Sequence, residues 1–240
     1  MKRNKGMQLS AILAVMLIVS MSFVPVMSAA EVSITDEYIN AIDMTNLTSL
    51  SEKDIKKIQK NTKILIETDT EKIISYKNND GTTVYAISWI DENTKNVNFA
   101  FIDKSELKSL NKLTSEQFND DSFIASTISA ERDYFWHGSY VETYGNLITG
   151  GVHMYLAPQD APYIAGLGAS AGYLLCALLD GPLPFANVVG IVLAVLIATV
   201  YWSEMNSDGS LDIWIPYASA VTLAAGGFAY IKIGSTWFRV

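Results

Sequence analysis

Apolar and polar positions alternate along residues 62–102, and the alternation breaks at turn residues. "KILIE", "KIISYK", "TTVYAISWI" and "NVNFAFI" therefore read as strands. Asn78-Asn79-Asp80-Gly81 suits a hairpin turn, and Asp91-Glu92-Asn93 begins another connection. Before them the period lengthens. Ser49-Leu50-Ser51-Glu52 fits a capping box opening a helix over about 51–59, with Ile55 and Ile58 on one side and lysines on the other. A further helix is predicted within 104–113, and another from Thr114, whose spacing to Gln117 again suits a capping box. These elements predict a helix-plus-antiparallel-meander domain within residues 31–119, enough for a modest core.

Residues 120–135 lose clear periodicity and read as a linker or processing region. The following part, residues 136–240, reads as an apolar C-terminal domain. No charge occurs over 161–179, 19 residues, or over 181–203, 23 residues. A bilayer-spanning helix needs at least about 17 apolar residues, so either run is long enough. Asp180-Gly181-Pro182-Leu183-Pro184 separates them. Proline removes a backbone donor and disfavours helical geometry in the preceding residue, while glycine suits a helix C-terminus. The pattern predicts an apolar helical hairpin over 161–203, with Asp180, Gly181, Pro182 and Pro184 at its tip. Gly168 and Gly172 on the first arm, with Gly190, Ala194 and Ala198 on the second, would let the arms pack closely in lipid or in a dry core. "LDIWIPY" and "FAYIKIGSTWFRV" predict a terminal β-hairpin rich in Trp and Tyr, suited to a membrane interface or an ordinary aromatic core. The expected fold class is thus α+β: a small helix-plus-meander domain, an apolar helical hairpin and a terminal β-hairpin.

Charge sharpens this division. Residues 31–130 carry 17 acidic and 11 basic side chains, against 5 and 2 over 151–240. The net charge of -8, with no basic patch, excludes phosphate neutralisation and hence nucleic acid as a partner. At the N-terminus, Lys2, Arg3 and Lys5 precede an apolar stretch, and Ser28-Ala29-Ala30 ends it with small residues. Residues 1–30 therefore read as a signal peptide, with Ser28 and Ala30 at the positions a signal peptidase requires. The chain is expected to be secreted, or membrane-associated outside the cytoplasm. Its one cysteine, Cys176, lies among leucines and reads as a small buried hydrophobe.

No catalytic signature emerges. His137 and His153 are the only histidines, and neither belongs to an HExxH or a cysteine pair. There is no G-x-S-x-G elbow, and Gly166-Leu167-Gly168 lacks the strand-to-helix context of a nucleotide loop. No enzyme activity, cofactor or metal is expected.

The stretch "GLGASAGYLLCALLDGPLPFANVVGIVLAVLIATVYW", behind an export signal and a polar region, resembles secreted antimicrobial precursors of the bacteriocin and halocin type in layout. Disulfide-rich halocins carry many cysteines where this chain has one. The resemblance implies a precursor whose apolar C-terminal domain is released near 126–133 and acts on membranes. Its partners would be a lipid membrane, a processing protease and an immunity protein. Two other readings remain open. One is an uncleaved, membrane-anchored surface protein with a small ligand- or partner-binding ectodomain. The other is a soluble two-domain secreted protein.

Overall fold

A computed structural model describes residues 40–45, 52–78, 80–146, 149–167, 169–179, 199–224 and 227–240. The strands are β1 (Ile42–Asp43), β2 (Thr62–Glu67), β3 (Glu71–Lys77), β4 (Thr83–Ile90), β5 (Val97–Ile102), β6 (Tyr140–Tyr144), β7 (Gly151–Leu156), β8 (Leu211–Pro216), β9 (Tyr230–Ile233) and β10 (Thr236–Arg239). They form one 10-stranded sheet in the order β1-β10-β9-β8-β7-β6-β5-β4-β3-β2. Every neighbour is antiparallel except β1, which lies parallel to β10. The helices are α1 (Glu52–Asn61), α2 (Lys104–Ser109), α3 (Asp121–Ala130), α4 (Arg132–Phe135), α5 (Ala161–Leu167), α6 (Ala169–Leu179) and α7 (Tyr217–Ala224).

Local chemistry sets the strand connections. Asp80 accepts from the Thr82 amide and hydroxyl, and Gly81 takes the positive φ of +88° that closes the β3–β4 turn. Between β4 and β5, Asp91 accepts from the amides of Asn93 and Thr94. Asp103 caps α2 reciprocally with Glu106, and Thr114 exchanges bonds with Gln117 at the next turn. Ser49, the expected cap of α1, lies outside the described residues.

One face of the sheet is lined along nearly its whole length by apolar side chains. Ile74 and Ala86 from the first strands and Met154, Ile213, Ile231 and Phe238 from the last join one core. Helix α6 lies in that core, burying Leu174, Leu175, Leu178 and Leu179. Ser88 on β4 donates to the Leu178 carbonyl at 2.8 Å, satisfying an acceptor at the helix end. The opposite face of β3–β5 carries a second core, in which Ile73, Ile87 and Ile102 meet Leu107, Ile124, Ile128 and Phe135 of α2–α4. Strands β3–β5 are therefore covered on both faces, and β5 is buried at all its positions.

This architecture corrects the expected fold class. A single mixed sheet dominates, and no apolar helical hairpin is present among the described residues. The uncharged run 161–179 is two short helices meeting at 120°, not one straight arm. Its apolarity is used against the sheet: α6 packs on β3 and β4, and its leucines are buried in the shared core. Among the described residues no single helix is long and apolar enough to cross a membrane. The meander does not end before residue 120. Strand β5 pairs directly with β6 through Val97–Val141 and Asn98–Tyr140. Residues 120–135 form α3 and α4, which seal the second core. The Trp- and Tyr-rich C-terminal strands are edge-ward members of the same sheet rather than a separate hairpin.

Candidate functional site

Beyond β5 no described helix covers the second face of the sheet. Burial then alternates, as in β8, where every second residue is partly open. This is the signature of a strand with one face in a core. The pairing registers place the outward residues in transverse rows. Glu142, His153, Trp214, Lys232 and Trp237 form one row across β6–β10. Tyr140, Tyr155 and Asp212 form the next, and Tyr144, Gly151 and Pro216 another. Aromatic side chains thus gather on an uncovered face.

His153 is the centre of this face and is 5% exposed. Its Nδ1 lies 2.9 Å from Glu142 Oε1 and its Nε2 2.8 Å from Asp212 Oδ1. An ionised carboxylate only accepts, so each contact is a hydrogen bond when the ring nitrogen facing it carries a proton. Asn206 Nδ2 donates to the other Asp212 oxygen at 3.1 Å. The Trp214 ring stacks on the imidazole, with centroids 3.8 Å apart and planes at 12°. Tyr144 meets Trp214 edge-on at 5.2 Å, and Tyr140 stacks on Tyr155 at 5.6 Å. Gly151 makes room for this packing. A Cβ there would stand 2.7 Å from the Tyr144 hydroxyl and 2.3 Å from the Ile215 carbonyl oxygen.

Because His153 on β7 occupies one face of Trp214, the other face of that indole looks toward β9 and β10. Trp237 stands two strands away, about 10 Å by ordinary strand spacing, with Lys232 between them in register. Trp214, Lys232 and Trp237 thus stand side by side in one row across β8, β9 and β10. Glu142 and Lys232 give this row one side chain of each sign, and Asp212 lies in the next row.

The other histidine makes the same kind of bridge in the opposite setting. His137 Nδ1 lies 3.2 Å from Asp160 Oδ1, and its Nε2 lies 3.3 Å from Glu106 Oε1. Asp160 is fully buried and also accepts from Ser139 Oγ at 2.6 Å and the Phe101 amide at 3.0 Å. The bonds to Asp160 and then Glu106 outweigh burial and push the His137 pKa up to about 10. Next to it, Tyr163 donates to Asp103 at 2.9 Å. Burial, then that bond, raises the Tyr163 phenol above its ordinary value. Burial alone would raise Asp103, but hydrogen bonds led by the Ser105 hydroxyl and the Glu106 amide hold it below the usual carboxylate range. This network ties β5, α2, α5 and the loop before β6 together. Ser139 Oγ is committed to Asp160 and to the Ala157 amide, so it is not a poised nucleophile.

Of the residues predicted from sequence, Gly172 lies within α6 and is buried. Gly168, Asp180, Gly181, Pro182, Pro184, Gly190, Ala194 and Ala198 lie outside the described residues, as do Ser28 and Ala30. The sequence reading places no strand at "YVETY" or "GVHMYL", so the aromatic row does not emerge from it. Their alternation, placing Tyr140, Glu142 and Tyr144 on one side and His153 and Tyr155 on one side, was the available signal. Among the described residues no group of three or more His, Cys, Asp or Glu side chains is arranged to hold a metal ion. No protein-family model, no curated protein and no solved structure matches this chain.

Proposed function

We propose that the chain acts intact outside the cytoplasm as a binding protein, with its open aromatic sheet face taking an uncharged, hydroxyl-rich glycan. The observation that carries this reading is the row that sets Trp214 and Trp237 in register two strands apart, on a face that no described helix covers. Indole faces pack against the C–H faces of pyranose rings, and two indoles about 10 Å apart in one row can each seat a ring of the same sugar chain. Glu142 Oε1 is held by His153, leaving the carboxylate fixed as an acceptor for sugar hydroxyls. Lys232, in register between the two indoles, supplies donors. The basic-then-apolar N-terminus, with Ser28 and Ala30, supports export. The role is binding, without catalysis.

Affinity electrophoresis in gels containing cellulose derivative, xylan, mannan or dextran tests this. At least one neutral polysaccharide should retard the chain, and Trp237→Ala should abolish the retardation. Equal mobility in every gel, or retardation that Trp237→Ala leaves intact, would sink it.

A second reading keeps the precursor hypothesis: the C-terminal part is released by a protease and acts on lipid, with an immunity protein protecting the producer. What favours it is the sheathing of apolar α6 by β3 and β4 of the polar half, including the Tyr76–Ser170 bond at 3.1 Å. A C-terminal fragment beginning between residues 126 and 134 in the culture medium would support release. An exclusively intact chain would rule it out.

A further inference from the structure

An open cleft of ≈ 530 Å³ lies away from β8–β10 along the sheet, where the β3–β4 turn, the start of α2 and helix α5 meet. Its volume falls within the roughly 300–1,000 Å³ typical of small-molecule sites. The walls are mixed in a specific way. Val84, Pro162 and Leu167 supply apolar surface, and the Tyr163 ring, stacked on Phe101 at 6.5 Å, supplies a fixed aromatic wall. Gly166 widens the cleft, because a Cβ there would meet nothing within 4 Å.

The polar groups around it differ in what they can still do. Asp103 is committed: it accepts from Ser105, from the Glu106 amide and from the Tyr163 hydroxyl. Thr82 is likewise engaged with Asp80. The His137–Asp160–Glu106 network behind Asp103 holds this wall rigid, since it joins α2 to the segment that opens α5. Lys104 lines the cleft, and none of the ion pairs among the described residues uses it. A rigid apolar and aromatic pocket with one uncommitted ammonium at its mouth suits a ligand with an apolar ring body and a single anionic head.

We propose that this cleft binds a small aromatic carboxylate, with its ring against Tyr163, Pro162 and Leu167 and its carboxylate on Lys104. The site is independent of the glycan reading.

The test is calorimetric titration of the full chain with naphthalene-2-carboxylate and with the neutral 2-naphthalenemethanol. The carboxylate should bind saturably, and more tightly than the alcohol. Lys104→Gln should weaken the carboxylate by about tenfold while leaving the alcohol unchanged, as expected for loss of one charge-assisted contact. Gly166→Leu should remove binding of both, since its side chain would occupy the cleft. The same substitution should leave the melting temperature unchanged or raised, because leucine favours a helix over glycine. The proposal is overturned by absence of saturable carboxylate binding in the wild-type chain. It is equally overturned by Gly166→Leu binding as well as wild type, or by Lys104→Gln weakening both probes alike.

Discussion

The two halves of the sheet solve the same problem with different amounts of cover. Strands β3–β5 are packed on one face by α6 and on the other by α2–α4, so that Phe99, Phe101 and Ile87 are fully buried. Strands β6–β10 join the same apolar core on one face, and no described helix covers the other, where Tyr140, Tyr155, Trp214 and Trp237 remain partly open. Each half also contains one histidine clamped between two carboxylates. In the covered half that bridge joins separate elements around a buried aspartate. In the open half it fixes acceptors on a surface. The same chemistry thus serves cohesion in one place and presentation in the other.

The largest expected contrast is in packing. Phe101→Ala, under two layers of cover, should cost about 3–5 kcal/mol, whereas Tyr155→Ala on the open face should cost under about 1 kcal/mol. Urea denaturation of both variants measures the difference, and similar losses would break the distinction between the halves.

The histidines come next. Removing His137 leaves Asp160 buried without its cation, so His137→Gln should cost about 3 kcal/mol. Its folded-state pKa of about 10 lies above the ordinary 6.5. The bridge therefore contributes fully below about pH 6.5 and is lost as the pH rises through about 10. Wild-type stability should fall across that window more steeply than that of His137→Gln, measured by urea midpoints from pH 6 to 10.5. His153→Gln should cost less, about 1 kcal/mol, but should weaken glycan retardation by loosening Glu142 and Trp214. Retardation equal to wild type would remove His153 from the binding account.

The smallest effect is expected at the segment between the halves. Ile124, Ala125, Ile128 and Phe135 are buried in the second core, and Lys112 pairs with Glu131. Limited trypsin digestion at native pH should therefore cut Arg132 slowly, and a Phe135→Ala variant faster. Rapid wild-type cleavage there would make the two halves separable.

What the sequence revealed follows from the range of its patterns. The alternation in "KIISYK" and "TTVYAISWI" and the turn at Asp80-Gly81 are local, and they correspond to β3, β4 and their connection. The partner of an apolar segment is not local. Leu174, Leu175, Leu178 and Leu179 read equally well against lipid or against a sheet. Only the long-range meeting of α6 with β3 and β4 decides which. Residues 120–135 looked featureless because short α3 and α4 bury few positions each. The candidate row needs the registers of β8, β9 and β10, which place Trp214 and Trp237 together although 23 positions separate them in the chain.

The most direct test of the open face is a two-dimensional NMR titration that follows the five tryptophan indole N–H signals. Cellohexaose, xylohexaose and mannohexaose would be added separately. With at least one of them, the Trp214 and Trp237 signals should move together and saturably, while Trp89 and Trp136 in the covered half stay in place. Motionless Trp214 and Trp237 signals with every oligosaccharide, or shifts confined to Trp202, would contradict the account.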